Sequence, residues 1–190
     1  MPPSILFAVI WLGWIVSWML AALWSARTEK RITTWETSAS RAAIVIGAIL
    51  LFYAGRRASA EARLWHVGLA GGYALAALTL AGVAFAWWAR IHLGKLWSSA
   101  VARKQDHRII DTGPYALVRH PIYTGLIVAI VATALAQGAI AGCLGAALVA
   151  VGLWLKARAE ERFLADELGE DVYGAYRRRV PMLLPFLPNR

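Results

Sequence analysis

The chain has 190 residues, of which 59% are hydrophobic and only 16% are charged, and it carries a net charge of +9. Because about a quarter of the residues in a soluble domain are charged, this chain lacks the polar surface of a soluble protein, and its single cysteine excludes an intrachain disulfide. We therefore predict an all-α integral membrane protein whose positive charge faces anionic lipid headgroups rather than nucleic acid.

The first half of the chain contains three apolar runs. Residues 4–26 form the first predicted membrane span, residues 38–55 a shorter second one, and residues 67–89 a third. The third run ends at the aromatic pair Trp87-Trp88, which is typical of a headgroup boundary. Each run is close to the length of about 20 residues that crosses a bilayer as a helix.

The run from Ile122 to Leu155 is too long for one crossing, because a helix of 34 residues would extend roughly 50 Å. Gln137-Gly138 near its middle predicts a turn between two helices. These helices are the fourth and fifth predicted spans, residues 122–136 and 139–158. Five spans place 17 of the 20 Lys and Arg residues on one side, whereas four spans divide them equally. The positive-inside rule therefore predicts five spans, with the N-terminus outside and two cytoplasmic segments, residues 90–121 and 156–190.

Two further patterns concern packing and metals. Glycines four residues apart, at Gly68 and Gly72 and at Gly138 and Gly142, predict close contacts between helices. The four histidines lack the spacing of metal ligands, so we predict no metal site.

The segment 90–121 is unusually rich in His, Tyr and Gly for a membrane linker. Pro121 suits the first position of a helix, so Arg119 and His120 lie at a helix N-terminus, where the carboxylate of a ligand can bind. A purely structural alternative stays open at this point. In it, Arg119 binds lipid phosphate, His120 caps the helix, and the tyrosines form an interfacial belt.

The segment 156–190 begins as a continuation of the fifth span. Residues 156–168 are predicted to be helical, with Gly169 as the stop signal. Charges of both signs follow the last apolar residue: Lys156, Arg158, Glu160 and Glu161. The simplest role of the two glutamates is in solvated ion pairs along the helix. Arg177-Arg178-Arg179 further along predicts contact with anionic headgroups.

Three motifs occur in order between residues 90 and 187. They are His107-x-Ile-Ile with Gly-x-Tyr115, then Arg119-His-Pro-x-Tyr123, then Glu160-Glu161 followed by Gly-x-x-x-Tyr-x-x-Tyr and Val-Pro. Together they resemble the isoprenylcysteine carboxyl methyltransferase family, multi-span membrane enzymes that use S-adenosylmethionine. The resemblance covers about half of the chain, and the first three spans carry no such motif.

The resemblance implies a cofactor pocket at the cytoplasmic membrane face. Residues of all three motifs would hold S-adenosylmethionine there: His107, Arg108, Ile109, Ile110, Tyr115, His120, Pro121, Ile122, Tyr123, Glu160 and Glu161. Either glutamate can be the main contact. In family members that act on a carboxylate, an arginine contacts that substrate group. Lys156 stands in its place here, with Arg158 two residues further on, so these two are the predicted catalytic residues, although Lys lacks the bidentate fork of Arg.

The predicted function is methyl transfer from S-adenosylmethionine to a lipophilic acceptor that enters from the bilayer, with the carboxylate of an isoprenylcysteine-like substrate as the expected nucleophile. Such a reaction needs alignment and exclusion of water more than a metal or a covalent intermediate. Three alternatives stay open: a phospholipid or other small-amphiphile methyltransferase, an NADPH-dependent membrane lipid reductase, and a non-catalytic lipid-binding scaffold.

Overall fold

The computed structural model describes residues 1–23, 30–31, 35–94, 102–103 and 110–186, and these residues are mostly helical. The elements follow in chain order: α1 (Pro3–Ala22), β1 (Lys30–Arg31), α2 (Trp35–Ile49) with a π-helical turn (Leu50–Ala54), α3 (Leu69–Leu93), β2 (Ala102–Arg103), a 3₁₀ turn (Gly113–Ala116), α4 (Pro121–Gln137), α5 (Ile140–Leu168) and α6 (Glu170–Arg179). The two short strands pair with each other in antiparallel orientation.

Prolines and glycines set several of the helix ends. Pro3 begins α1 and Pro121 begins α4, since the first amide of a helix has no partner within the helix and a proline there loses nothing. Gly138 and Gly169 end α4 and α5 with φ values of 62° and 82°, a backbone conformation that favours glycine. Gly138 therefore forms the turn predicted between the fourth and fifth apolar runs.

Within the described residues, four helical stretches are long and apolar enough to cross a membrane: Pro3–Ala22, Trp35–Ala54, Leu69–Leu93 and Ile140–Leu168. The fourth predicted span corresponds to α4, which is apolar but only 17 residues long. That is the lower limit, about 17 residues, for crossing a bilayer. The fold is thus that of a helical integral membrane protein, and the fifth crossing stays a prediction.

The bundle is built mainly from two helix pairs, α3 with α4 and α2 with α5. Glycines face each other in both pairs: a Cβ added to Gly82 would lie 2.5 Å from the carbonyl oxygen of Gly125, and one added to Gly47 would lie 2.7 Å from that of Gly145. Such contacts let helix backbones approach closely. The predicted close packing at Gly68 is wrong, because Gly68 precedes α3 and no described atom lies within 4 Å of an added Cβ.

Contacts at the helix ends show that the apolar helices alternate in direction. Arg90 at the end of α3 donates to the carbonyl oxygen of Ala21 at the end of α1, and Arg162 of α5 pairs with Glu36 at the start of α2. We call this end of the bundle the basic end. The opposite end holds Met1, the loop 56–68 and the Gly138 turn. Described parts of both segments predicted to be cytoplasmic meet at the basic end, although the side of the membrane that it faces stays a prediction.

Candidate active site

At the basic end, α4 begins from a corner formed by Arg119, His120 and Pro121. Pro121 is the first helical residue, and His120 before it has a non-helical backbone with φ −122° and ψ 62°. All three residues are buried, and Arg119 and His120 are each only 8% exposed. A buried charge must find partners inside the protein, so the side chains of this corner must be balanced by other parts of the chain.

The balance is supplied by the part of α5 that follows its apolar run. Arg119 Nε lies 2.6 Å from Glu161 Oε1, and His120 Nε2 lies 3.3 Å from the same oxygen. The other ring nitrogen, His120 Nδ1, lies 3.6 Å from Glu160 Oε2. The Tyr123 hydroxyl donates to Glu160 Oε1 at 2.7 Å. The second and third motifs of the sequence therefore form one network of charges and hydrogen bonds.

These contacts exclude the structural alternative for Arg119 and His120. The Arg119 guanidinium also donates to the carbonyl oxygens of Arg177 and Val180, so it is committed to the protein and contact with lipid phosphate is the wrong interpretation. Among the described residues, the His120 side chain makes no capping hydrogen bond to α4. Its ring stacks on that of Tyr123 instead, with centroids 5.4 Å apart and planes 4° apart.

The chain after α6 returns to the same corner, and we call residues 180–186 the C-terminal strap. The backbone amides of Arg119 and His120 donate to the carbonyl oxygens of Pro181 and Met182 at 2.8 and 3.1 Å. One helical turn further along, the Thr124 hydroxyl donates to the carbonyl oxygen of Leu183 at 2.6 Å. The strap thus supplies acceptors to amides that have no partner within a helix and fixes the backbone of the corner.

The 3₁₀ turn (Gly113–Ala116) packs on the corner's α3 side. Tyr115 forms a buried cluster with Ala86, Ala89 and Ile122, and Ile110 packs against the same cluster. In the same turn, the carbonyl oxygen of Tyr115 accepts a hydrogen bond from the hydroxyl of Tyr176 of α6 at 2.7 Å. Burial raises the pKa of the Tyr115 hydroxyl far above its usual value, so this side chain is neutral and acts through packing.

The two predicted catalytic residues lie in different surroundings. Lys156 Nζ lies 5.3 Å from the centre of the Tyr123 ring, on the side of α5 that meets the corner. Arg158 is exposed, and its guanidinium lies 4.9 Å from the Trp154 ring. Lys156 is four residues before Glu160 and shares its face of α5. Arg158 is two positions from both residues and therefore points to nearly the opposite side.

The predicted cofactor-binding residues fall into two groups, those that the structure describes and those that it does not. His107, Arg108 and Ile109 lie outside the described residues. The other predicted cofactor residues all lie at the corner or next to it: Ile110, Tyr115, His120, Pro121, Ile122, Tyr123, Glu160 and Glu161. No site role was predicted for Tyr176 or for the Val-Pro that begins the strap, although both belong to the third motif. Val180 and Pro181 act through carbonyl oxygens, which leave no signature in residue type, and the Tyr176 hydroxyl binds a backbone carbonyl, so only the spacing of the motif could have indicated them.

The pKa of His120 reports on the balance between burial and charge in the site. Burial by itself lowers the pKa of His120, but hydrogen bonds to Glu160 and Glu161 and the negative charge of both outweigh burial and hold it above its ordinary value. Because a protonated imidazole donates from both nitrogens, this state fits the two carboxylate partners. The two carboxylates therefore favour the cation of His120, which lies between them with Arg119 beside Glu161.

We expect the His120 contribution to stability to depend on pH in a definite direction. A folded-state pKa above the unfolded value of about 6.5 means that this stabilisation is fully present below about pH 6.5 and is lost as the pH rises through the folded pKa. The difference in melting temperature between the native protein and His120→Gln should accordingly be larger at pH 6 than at pH 9. The measurement is thermal unfolding in one detergent across that range. A difference that grows with rising pH would contradict the assignment.

The part of the chain that carries this geometry matches a known family. Residues 75–166 match the model of the isoprenylcysteine carboxyl methyltransferase (ICMT) family. The matched segment begins within α3 and ends within α5, so it contains the corner and both glutamates but not α1, α2 or α6.

Three curated proteins are similar over part of their length. The protein-S-isoprenylcysteine O-methyltransferase of Schizosaccharomyces pombe is 34% identical over 106 residues, which cover 53% of this chain and 43% of that protein. The methanethiol S-methyltransferase of a Pseudomonas strain is 42% identical over 72 residues, covering 37% and 26%. The cobalt-zinc-cadmium resistance protein CzcN of Cupriavidus metallidurans is 33% identical over 101 residues, covering 50% and 44%. The chain thus spans less than half the length of each relative.

In the described part of this chain, no three His, Cys, Asp or Glu residues are grouped to hold a metal ion.

Proposed function

We propose that the chain is a member of the ICMT family, whose model matches residues 75–166, and that it is a membrane methyltransferase with S-adenosylmethionine as donor and the carboxylate of an isoprenylcysteine-like lipophile as acceptor. The observation that carries the proposal is the meeting of His120 and Tyr123 with Glu160. The Glu160 side chain keeps 19% of its surface exposed although it belongs to a buried network. A scaffold has no need of such a group, whereas perturbed, partly accessible charges are typical of functional sites.

The residues at the corner fit the charges of this cofactor. S-adenosylmethionine carries a sulfonium, an ammonium and a carboxylate, and when bound it supplies an electrophilic methyl group. Glu160 would hold the ammonium group, and His120, whose two ring nitrogens face Glu160 and Glu161, would keep that carboxylate in position. The ring of Tyr123 would face a cation, as it already does with Lys156. Ile110 and Tyr115 would provide the apolar wall for the adenine.

The protein's part in the reaction is to orient the acceptor and exclude water. A carboxylate acceptor is already ionised at neutral pH, so the chain needs no general base to activate it. Lys156 would hold the acceptor's negative charge at a single point, because an ammonium lacks the fork of a guanidinium. The apolar surfaces of the spans would keep the lipophilic part of the acceptor and the methyl group away from water.

A small thiol is a second candidate acceptor, and the similarity to a methanethiol S-methyltransferase favours it. A thiol reacts as the thiolate, which is the minor form of a simple alkyl thiol at neutral pH. A neighbouring cation favours that ionised form, so Lys156 could serve a thiol as well as a carboxylate. Both acceptors present a negative charge to the same residue.

The test is methyl transfer by the protein in lipid nanodiscs. S-adenosylmethionine with a labelled methyl group is offered together with a farnesylated cysteine mimic, with methanethiol, or with phospholipid alone. We expect label in the farnesylated mimic, and mild alkali should release it because a methyl ester hydrolyses whereas an amine or a thioether does not. Label only in methanethiol would support the second candidate, and label only in phospholipid would contradict both.

A ligand-binding measurement separates a methyltransferase from a reductase and from a scaffold. S-adenosylhomocysteine at about 100 times its dissociation constant should add about 2.7 kcal/mol of apparent stability, which a thermal shift in detergent detects. NADPH at equal concentration is the matched control. Stabilisation by NADPH alone would favour a reductase, and no shift with either would favour a scaffold.

A further inference from the structure

The C-terminal strap exposes large apolar side chains instead of burying them. Leu184 is 57% exposed and Phe186 is 96% exposed. Phe186 also has a φ of 66°, a conformation that bulky residues rarely adopt. Contiguous exposed apolar surface marks contact with a membrane or with another protein, and these two side chains lie only two residues apart in the strap.

The position of the strap favours a membrane. Leu183, directly before the exposed pair, accepts the hydrogen bond of Thr124 in the first turn of the apolar helix α4. Trp154 of α5 is 40% exposed at the same end, with the Arg158 guanidinium over its ring. An aromatic ring paired with a cation at the end of an apolar helix is typical of the headgroup level. Leu184 and Phe186 thus lie where a leaflet begins.

The charge beside the strap is complementary to an anionic leaflet. The side chains of Arg177 and Arg178, in the last turn of α6, are exposed only a few residues before Leu184. Basic residues near a membrane surface each contribute to binding of anionic lipid, and neighbouring apolar side chains add the energy of their own burial. The combination of both in one short segment indicates anionic phospholipid as the partner.

The same strap holds the corner of the candidate site. Pro181 and Met182 accept the amides of Arg119 and His120, and Val180 accepts the Arg119 guanidinium. Immobilising Leu184 and Phe186 would therefore also restrain residues 180–182, which hydrogen-bond to the backbone of Arg119 and His120 and to the Arg119 side chain.

We propose that the strap is a lipid anchor that couples the membrane surface to the site: Leu184 and Phe186 insert into an anionic leaflet, Arg177 and Arg178 bind its headgroups, and the anchored strap holds the Arg119-His120 backbone. The insertion is independent of the proposed function. Only the consequence for cofactor affinity rests on that function.

Depth of insertion is measured by spin labelling in nanodiscs of phosphatidylcholine and phosphatidylglycerol. The single cysteine, Cys143, is replaced by alanine, and a label is placed with Phe186→Cys. Met19→Cys provides the lipid reference, because Met19 of α1 is 68% exposed on an apolar helix, and Asp171→Cys on α6 provides the water reference. We expect the label at 186 to meet oxygen more than a nickel chelate, as at 19. Accessibility like that at 171 would overturn the anchor.

Coupling to the corner is measured by hydrogen exchange at the amides of Arg119 and His120. The double variant Leu184→Ser/Phe186→Ser should lose protection at these two amides. The matched control is Leu64→Ser, a 60% exposed leucine at the opposite end of the bundle, which should leave them unchanged. Unchanged protection in the double variant would overturn the coupling whether or not any cofactor binds.

The consequence for the cofactor is measured last. In the native protein, S-adenosylhomocysteine should bind at least about fivefold more weakly in pure phosphatidylcholine than in the anionic mixture, the low end of coupling between sites. The double variant should bind equally in both. Equal affinity of the native protein in both lipids would overturn this step. No binding in either lipid would count against the proposed function, while depth and exchange would still decide the anchor.

Discussion

Replacing Arg119 by methionine should lower the free energy of unfolding by about 3–5 kcal/mol, the usual cost of removing one partner of a buried ion pair. Methionine fills a similar volume but donates no hydrogen bond. The Glu161 carboxylate, with 11% of its side-chain surface exposed, would then keep only His120 at 3.3 Å as its partner in this network. The carbonyl oxygens of Arg177 and Val180 would lose the donor that they share. Most of the lost stability thus comes from the polar groups that stay buried without the Arg119 donor, not from the energy of a single hydrogen bond.

The measurement is denaturant unfolding in detergent, with Arg56→Met as the matched control because Arg56 is exposed at the opposite end of the bundle. That variant should change stability by less than about 0.5 kcal/mol. The double variant Arg119→Met/Glu161→Gln should recover part of the loss, since it leaves no unpaired carboxylate. A single variant as stable as the native protein would show that Arg119 and Glu161 do not act as a buried pair.

The helices were predictable from the sequence because lipid imposes a simple rule: uncharged runs of sufficient length must be helical. The turn at Gly138 followed from a run too long for one crossing. The packing of the helices was not predictable in the same way. Gly82 and Gly125 meet because α3 and α4 run side by side, and a glycine's partner on another helix cannot be read from its neighbours in sequence. The pattern at Gly68 failed because this residue lies before α3, where no described atom lies near an added Cβ.

The candidate site was predictable where side-chain chemistry carries it. A histidine before a helix-opening proline and a pair of glutamates near the membrane are distinctive residue types, and the structure brings them together. The strap was not predictable, because it acts through carbonyl oxygens that every residue possesses. The sequence predicted one catalytic role for both Lys156 and Arg158. It could not separate them, because the direction of each side chain depends on the rotation of α5 at the corner.

The same rotation separates the two glutamates. Consecutive residues on a helix point about 100° apart, and Glu161 is directed to Arg119 whereas Glu160 is directed to Tyr123. Glu161 is compensated by the buried cation of Arg119, so its charge serves the fold. Glu160 has a hydroxyl and one edge of His120 as neighbours and keeps the larger exposed fraction of the two, 19% against 11%. We therefore expect Glu160 to be the carboxylate that a cationic ligand meets.

Replacing Glu160 by glutamine should weaken binding of S-adenosylhomocysteine between about tenfold and a hundredfold, or ~1.4–2.8 kcal/mol, the usual worth of a hydrogen bond to a charged group. Glutamine keeps the shape and one acceptor for the Tyr123 hydroxyl but loses the negative charge that an ammonium group requires. Stability should change much less than in Glu161→Gln, where the guanidinium of Arg119 would lose its buried partner. The measurement pairs calorimetric titration with thermal unfolding for each variant.

The control for charge on the same helix is Asp166→Asn, because Asp166 is exposed on α5 and its loss should alter neither quantity. The expected result is a crossed pattern, with affinity lost mainly in Glu160→Gln and stability lost mainly in Glu161→Gln. Two neighbouring carboxylates in one shared role would instead show equal losses of affinity in both variants. That outcome would contradict the separate roles of Glu160 in ligand binding and Glu161 in stability. It would require both side chains to reach the ligand from faces of α5 that differ by about 100°.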